Sequence, residues 1–585
     1  MSKLRVRGRL LALALFVSFF FSCSTASPDG DDFLHCLSAK SIPSELVHTQ
    51  SSGNFTDVLA FFTNATVRPL CIITPSDASH VQAAVLCGRG QGVRLRVRSG
   101  GHDYEGLSYR SARPSSQAFA VVDLGANLRA VRVNRLESTA WVDSGATIGE
   151  LYYAIAKIDS RLAFPAGECP TIGVGGHLSG GGVGMMMRKH GLSSDNVLDA
   201  KLVNADGELL DRAGMGENLF WAIRGGGGGG SFGIVLSWKV QLVQVPSTVV
   251  AFNIAKTVEQ GAVDVLTRWQ DVAPCLPSDI TLRAIVRGRQ AMFQALYLGG
   301  CGSLVAMMSE QFPELGMTSA DCQAMSWVQS AATPFLSFGG NGTLEEALLN
   351  RTTGLSRSNK GKSDYVRRAI PKAAWEDIFL WFAKAGAGFI LLEPHGGFMG
   401  SVPAAATPYP HRKGVLYVMQ YIVTWPQEGG DGGTAATAWI EGLYELMGRH
   451  VSKNPRRAYV NFRDLDIGQN DDEAGGTFEG GEAWAERYFV GNYRRLAAVK
   501  AAVDPTDYFR NEQSIPVDRE TRPSAELTMR VRDAMKQSFV MHGRLLVEIS
   551  LLSFAEYINN GVSSSCIFVN VGRWLLLNTF YFPER

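Results

Sequence analysis

Apolar positions come in short runs separated by glycine-rich polar loops through about residue 245, and in longer runs of strand and helix length beyond it. At the start, Lys3, Arg5, Arg7 and Arg9 precede an apolar run from Leu10 to Phe21 and a small-residue end at Ser24-Thr25-Ala26. That pattern predicts a secretory signal over 1–26, cleaved after Ala26 with loss of Cys23; its apolar run is short for a bilayer span. Asp31 to Ser52 reads as a helix, with Phe33, Leu34 and Leu37 on its apolar face, followed by a loop. From Pro69 to Arg98 the order is strand (Cys71-Ile72-Ile73), helix (Ser76 to Gly90, Asp77 at its start and Gly88 at its stop) and strand (Val93 to Val97). The last strand delivers RSGGHDYEGLS, residues Arg98 to Ser108, a glycine loop suited to binding phosphate through backbone amides.

Further strands are predicted at Ala120–Gly125 and Ala130–Asn134, and Ala140–Ala156 reads as strand, turn at Gly145 and helix from Ile148. Leu198–Asn204 and the following DGELLD turn read as a hairpin. Asn218–Lys239 reads as a short helix, six consecutive glycines and a buried strand. Beyond Val249, strands at Val250–Ala255, Ile280–Val286 and Ala291–Leu298 alternate with helices around Gly261–Ala273 and Gly302–Phe312, the pattern of an antiparallel sheet backed by helices. Tyr488–Pro516 is a helix that halts before Asp504-Pro505 and gives way to a polar loop. The apolar patches at Leu545–Phe554 and Ile567–Phe582 fall short of membrane-span length, so no membrane partner is expected. The resulting α+β division is 1–26 signal, 31–245 glycine-laced domain, 249–455 second domain, 456–516 C-terminal segment and 517–585 tail.

Composition is globular, and a net charge of +1 gives no electrostatic reason to expect a nucleic-acid partner. Sixty-three glycines in 585 residues exceed the usual ~7% without a collagen-like period, so the excess sits in specific loops. Secretion would make disulfides permissible and sequons usable, and Asn54, Asn64, Asn341 and Asn350 each head an N-x-S/T triplet. Cys36 and Cys87 lie in an amphipathic N-terminal region that a bond could staple, although spacing alone does not fix pairing. Cys71, Cys275, Cys301, Cys322 and Cys566 are left unassigned, with a buried free thiol as the default.

The densest glycine stretch is Phe164–Ala200, FPAGECPTIGVGGHLSGGGVGMMMRKHGLSSDNVLDA. So many glycines allow a backbone to approach a flat or phosphorylated ligand closely. No cluster gives the dinucleotide fingerprint G-x-G-x-x-G in its strand–helix setting, the P-loop or G-x-S-x-G, which removes nicotinamide, P-loop and hydrolase readings. Taken singly, His102 is a solvated loop histidine and Cys169 a structural thiol. Cys169 and His177 lack further ligands at metal spacing, so no metal is expected.

Taken together, RSGGHDYEG (Arg98–Gly106), CPTIGVGGHLSGGGVG (Cys169–Gly184), RKHGLSSDNVLDA, ENLFWAIRGGGGGGSFG and DPTDYFRNEQSIP resemble the plant berberine bridge enzyme-like flavoproteins of the vanillyl-alcohol-oxidase-type superfamily, over Asp31 to Pro516. The resemblance implies an α+β fold with a two-part FAD-binding domain and a substrate domain built on an antiparallel sheet backed by helices. It implies bicovalent FAD, His102 joined to the 8α-methyl and Cys169 to C6 of the isoalloxazine, a neutral imidazole and a thiolate being suitable nucleophiles. Arg98, Ser99, Gly100, Gly101, Gly173, Gly175, Gly176, Asn511, Glu512 and Gln513 would contact FAD, and Cys36 would pair with Cys87. On the substrate side it points to Glu393, His395, Val418, Gln420, Tyr459 and Phe462. Tyr459 is the candidate acid/base, with Gln420 and Glu393 as further catalytic candidates. Ile172 occupies the position that controls oxygen access, and a bulky residue there favours a dehydrogenase over an oxidase. Family members often carry tyrosine in place of Phe462 and tyrosine or phenylalanine in place of Val183, and some carry a lysine where Val418 stands, so the group that would lower the Tyr459 pKa is unidentified.

The function implied is a secreted, extracellular or cell-wall FAD-dependent oxidoreductase that oxidises a hydroxyl of a small plant metabolite, by hydride transfer to flavin N5. Electrons then pass to oxygen or another acceptor. Monolignol-type alcohols and oligosaccharides are the leading substrates, an alkaloid ring closure is a further option, and a catalytically idle FAD-binding protein is the rival from another class. The family ends soon after NEQSIP, so the tail from Val517 reads as a misread intron or a membrane-adhering extension.

Overall fold

The computed structural model describes residues 30–52, 68–111, 118–334, 336, 342–352, 357–426, 432–470 and 477–518. The expected signal, the sequons at Asn54, Asn64 and Asn341, Cys566 and nearly all of the tail lie outside the described residues.

The first sheet has the order Val47–Thr49, Cys71–Ile73, Phe119–Asp123, Arg94–Arg98. Cys71–Ile73 and Arg94–Arg98 flank Phe119–Asp123, both parallel to it, and the helix Ala78–Gly90 connects them. Asp77 starts that helix by accepting from the Ser79 N–H at 2.8 Å. The end strand Val47–Thr49, read as loop in the sequence, pairs antiparallel with Cys71–Ile73. Three residues are too few to display an alternation, and their partner lies more than twenty residues away. Cys36 and Cys87 form a disulfide between the helices Gly30–Ala39 and Ala78–Gly90.

The second sheet is antiparallel, ordered Val131–Asn134, Thr139–Asp143, Ile234–Gln241, Val197–Val203, Leu209–Leu210. The helix preceding the glycine run begins at Arg212, six residues before the expected start, because Asp211 caps it. The third sheet has seven strands, all antiparallel, in the order Gln323–Met325, Val249–Thr257, Gln290–Tyr297, Ile280–Arg287, Phe389–Pro394, Tyr417–Pro426, Arg357–Val366. Helices Ala262–Val272, Lys372–Trp381 and Gly432–Met447 share one buried core with it. Mixed helices and antiparallel sheets are thus the fold class expected. Cys301 and Cys322, read as free thiols by default, are instead bonded to each other; Cys71 is free and buried, and Cys275 free and exposed.

Strand period decides which side chains of the third sheet are available to a ligand. On Phe389–Pro394, Ile390 and Leu392 join the helix-backed core, while Phe389, Leu391 and Glu393 face a cavity. On Tyr417–Pro426, Met419, Tyr421 and Val423 join that core, while Gln420, Ile422 and Thr424 face the cavity. Leu391 sits opposite Gln420, so the cavity-facing sets of the two strands are in register.

The C-terminal helices Phe478–Phe489 and Tyr493–Val503 are followed by a coil held through Lys500. Its buried ammonium donates to Asp504 Oδ2 at 2.7 Å, Phe509 O at 2.8 Å and Ser231 O at 2.7 Å, and lies 3.1 Å from Asp507. Among the described residues no helix is long and apolar enough to cross a membrane. Removing the cation leaves buried carboxylates uncompensated, so Lys500→Met is expected to lower the unfolding free energy by ~3–5 kcal/mol, measured by chemical denaturation.

Candidate active site

Two glycine loops close against each other to make the cavity floor. Strand Arg94–Arg98 ends in Ser99-Gly100-Gly101-His102, and Cys169–Gly173 runs into the helix Val174–Ser179. A Cβ on Gly100 would collide with the Gly173 backbone, and a Cβ on Gly173 with Ser99 and Gly100. Glycine is required on both sides of this contact because the main chains touch. Ser99 Oγ then donates to Ser144 O at 2.5 Å, fixing the first loop to the turn after Thr139–Asp143.

The cavity measures about 780 Å³, within the range of small-molecule and cofactor sites. Its wall brings together Ser99, Gly100, Gly101, His102, Cys169, Ile172, Gly173, Gly175, Gly176 and Asn511 with Glu393, Gln420, Tyr459, Val183 and Phe462. Several expected residues are not on that wall. The Arg98 guanidinium is bound to Asp123 at 2.5 Å, and Glu512 is engaged by Arg96 at 2.8 Å. Gln513 spends its amide N–H groups on Asp464 O and Gly468 O. Val418 is packed in the core, and His395 is fully buried with Nε2 3.0 Å from Tyr409 Oη. These side chains build the floor and frame rather than the binding surface.

His102 and Cys169 face the same space and share one neighbour. His102 Nε2 lies 2.8 Å from Thr171 Oγ1, and Cys169 Sγ lies 3.4 Å from the same oxygen. Burial, assisted by the Arg98 charge, pushes the His102 imidazole down to about 4, so the ring is neutral and nucleophilic at physiological pH. Burial raises the Cys169 thiol, and the Thr171 hydrogen bonds oppose that rise.

Tyr459 is not on a strand; it precedes the 3₁₀ turn Val460–Phe462 in an extended conformation. Its phenolic oxygen accepts from the Gly182 N–H at 2.9 Å, the Asn461 Nδ2–H at 3.0 Å and the Val183 N–H at 3.4 Å. Burial pushes the phenol up to about 12, and these three donors pull it back. The Val183 side chain differs from the aromatic residue common in relatives, yet its backbone contributes here regardless.

Sequence reading missed Tyr104, Glu168, Thr171, Arg283 and Asn461. Gln420 Nε2 donates to Tyr104 Oη at 2.5 Å across the cavity. Arg283, fully buried, donates to Gln294 Oε1 at 3.0 Å and Leu336 O at 2.9 Å, and lies 3.5 Å from Glu168. Burial, and then the Glu168 carboxylate, push the Glu393 carboxyl up to about 8, with Arg283 opposing. Burial and the neighbouring carboxylate thus bias Glu393 towards its neutral, hydrogen-bond-donating form. Tyr104, Glu168, Thr171 and Asn461 each stand within two residues of a residue singled out from the sequence, which was the available signal. Arg283 sits in a distant strand and gave none.

The unpartnered polar atoms on the wall suit a polar ligand such as a flavin nucleotide. Ser108 Oγ, Glu168 Oε1 and Asn359 Oδ1 belong to wall residues and are buried without a hydrogen-bond partner among the described residues. The glycine loops line the cavity with bare backbone, where a flat ring can approach closely, and His102 and Cys169 line the same space.

Comparison with known proteins agrees. The family profile described as "FAD binding domain" matches residues 69–212, and that described as "Berberine and berberine like" matches 458–516. The chain is 53% identical over 493 residues to berberine bridge enzyme-like Cyn d 4 of Cynodon dactylon, covering 83% of this chain and 92% of that protein. It is similar to the structure of wild-type Phl p 4.0202, described as a glucose dehydrogenase, at 50% identity and TM-score 0.80, over 83% of this chain and 99% of that one. An isoleucine-to-valine variant of Phl p 4, described as a glucose oxidase, matches with the same identity, TM-score and coverage. With the site geometry and these likenesses in hand, the chain belongs to the berberine bridge enzyme-like family of FAD-linked oxidoreductases.

Proposed function

We propose that this enzyme oxidises the anomeric hydroxyl of an aldose or oligosaccharide, with FAD tethered through His102 and Cys169 and Tyr459 as the proton acceptor. The observation that carries the reading is the convergence of three N–H donors on the Tyr459 oxygen, on the wall that also holds His102 and Cys169. FAD supplies the acceptor for the hydride leaving the carbinol carbon. Tyr459 takes the hydroxyl proton, and its three donors stabilise the phenolate that must form beforehand. They stand in for the lysine that Val418 replaces. Glu393 in its neutral form, with Gln420 and Tyr104, offers hydrogen bonds to further hydroxyls, which favours a polyol over a monolignol ring. The glucose dehydrogenase description of Phl p 4.0202 supports the same substrate class.

Ile172 lines the cavity, and we assign it the oxygen-gating role. The isoleucine-to-valine variant of Phl p 4 described as a glucose oxidase supports this. Electrons then leave to an acceptor other than oxygen. The two disulfides favour an oxidising, extracellular setting.

Anaerobic mixing tests the substrate directly. Glucose or a cello-oligosaccharide is expected to bleach the flavin absorbance and coniferyl alcohol to leave it; the reverse order overturns the sugar assignment, and no bleaching by any substrate points to an idle protein. Tyr459→Phe is expected to slow bleaching about 10²–10⁴-fold with flavin content unchanged. Because the phenolate is the active form and its pKa lies far above neutrality, the parent's reductive rate should rise with pH by up to about tenfold per unit from neutrality, and Tyr459→Phe should lose that rise. Ile172→Val should speed reoxidation by oxygen at least about tenfold, a change of only ~1.4 kcal/mol in barrier, measured by stopped flow after anaerobic reduction.

A further inference from the structure

We infer that Thr171 is the positioning residue that makes both flavin tethers form, an inference that rests on the two-tether reading above. Its hydroxyl is within hydrogen-bond reach of both nucleophiles, 2.8 Å from His102 Nε2 and 3.4 Å from Cys169 Sγ. A neutral imidazole has one N–H and one lone pair, and the nitrogen facing Thr171 is Nε2. With Nε2–H donating to Thr171 Oγ1, the lone pair is fixed on Nδ1, which becomes the atom that bonds carbon. The Thr171 O–H is then free to donate to Cys169 Sγ, where it favours the thiolate, the form of cysteine that attacks. One hydroxyl thereby sets the tautomer of the first nucleophile and the charge of the second, through a single chain Nε2–H to Oγ1–H to Sγ.

The covalent balance is the same for each tether. Bonding Nδ1 to a flavin carbon releases the proton held on Nε2, bonding Sγ consumes a thiolate that has already given up its thiol proton, and in each case one hydrogen leaves the flavin carbon. For each tether two protons and two electrons pass to an external two-electron acceptor, dioxygen in air being reduced to hydrogen peroxide. Thr171 supplies neither electrons nor atoms to the product, so its removal changes the rate and not the chemistry. Pro170 and Ile172 hold the loop through backbone hydrogen bonds, the Pro170 carbonyl accepting from Gly149 N–H and the Ile172 carbonyl from Ile148 N–H, both at 2.9 Å. The loop path therefore does not depend on the Thr171 side chain.

The test compares Thr171→Val, which keeps the shape without the hydroxyl, with Thr171→Ser, which keeps the hydroxyl. Purified holoenzyme is denatured in acid, digested and mapped for flavin-bearing peptides. In the parent and in Thr171→Ser, one flavin is expected to join the His102 peptide to the Cys169 peptide. In Thr171→Val the joined species should fall about tenfold or more, replaced by flavin on one peptide or released by acid. A joined species at the parent's yield in Thr171→Val overturns the inference. If Thr171→Val does not accumulate, Thr171→Ala, which only removes atoms, is read against Thr171→Ser by the same criterion. Absence of the joined species from the parent would instead refute the two-tether reading itself.

Discussion

The contact on which the rest of the site depends is the apposition of two main chains, Gly100 against Gly173. No side chain fits between them, so the two loops lie as close as backbones allow. That approach is what sets His102 and Cys169 around a common hydroxyl, although 66 other residues separate them in the chain. A methyl group at either glycine would push the loops apart and take the two nucleophiles out of each other's reach.

The remainder of the fold supplies what surrounds this contact. The first sheet delivers the His102 loop, the Cys169 loop follows the short strand Leu162–Ala163 paired with Val243–Gln244, and the third sheet presents one face of two adjacent strands to the same cavity while packing the other on helices. The C-terminal segment closes the ring. Lys360 and Lys362 reach Asp464 from the third sheet, Lys360 also reaches Glu105 just past the His102 loop, and Lys500 holds the terminal coil against the glycine run. Buried charge is costly to desolvate; Lys360 and Lys362 are paired with carboxylates distant in sequence, while Lys500 is paired locally with Asp504 and Asp507 and reaches the distant Ser231 carbonyl.

Sequence carried the fold class, the loop motifs and the two glycine loops of the cavity floor, because glycine spacing and the residues between are themselves the constraint. It carried less where structure depends on partners. Val47–Thr49 is a strand only because Cys71–Ile73 lies beside it. The runs FILLEP and YVMQYIVT are so evenly apolar that the period placing Glu393 and Gln420 on the cavity face is hard to see. Cys301 and Cys322 pair through geometry that spacing does not encode. The surroundings of Tyr459 illustrate the limit best: two of the three donors on its oxygen are backbone N–H groups, at Gly182 and Val183, which no side-chain pattern reveals. Arg98 and Gln513, marked by motif membership, direct their side-chain hydrogen bonds to Asp123 and to Asp464 and Gly468, partners the motif does not name.

The most direct measurement is the colour of acid-precipitated protein. A flavin held at both His102 and Cys169 stays in the pellet of the parent and of His102→Ala and Cys169→Ala taken singly, and is lost from the double variant. A colourless pellet from the unaltered protein, with all flavin in the supernatant, would contradict the arrangement at its centre.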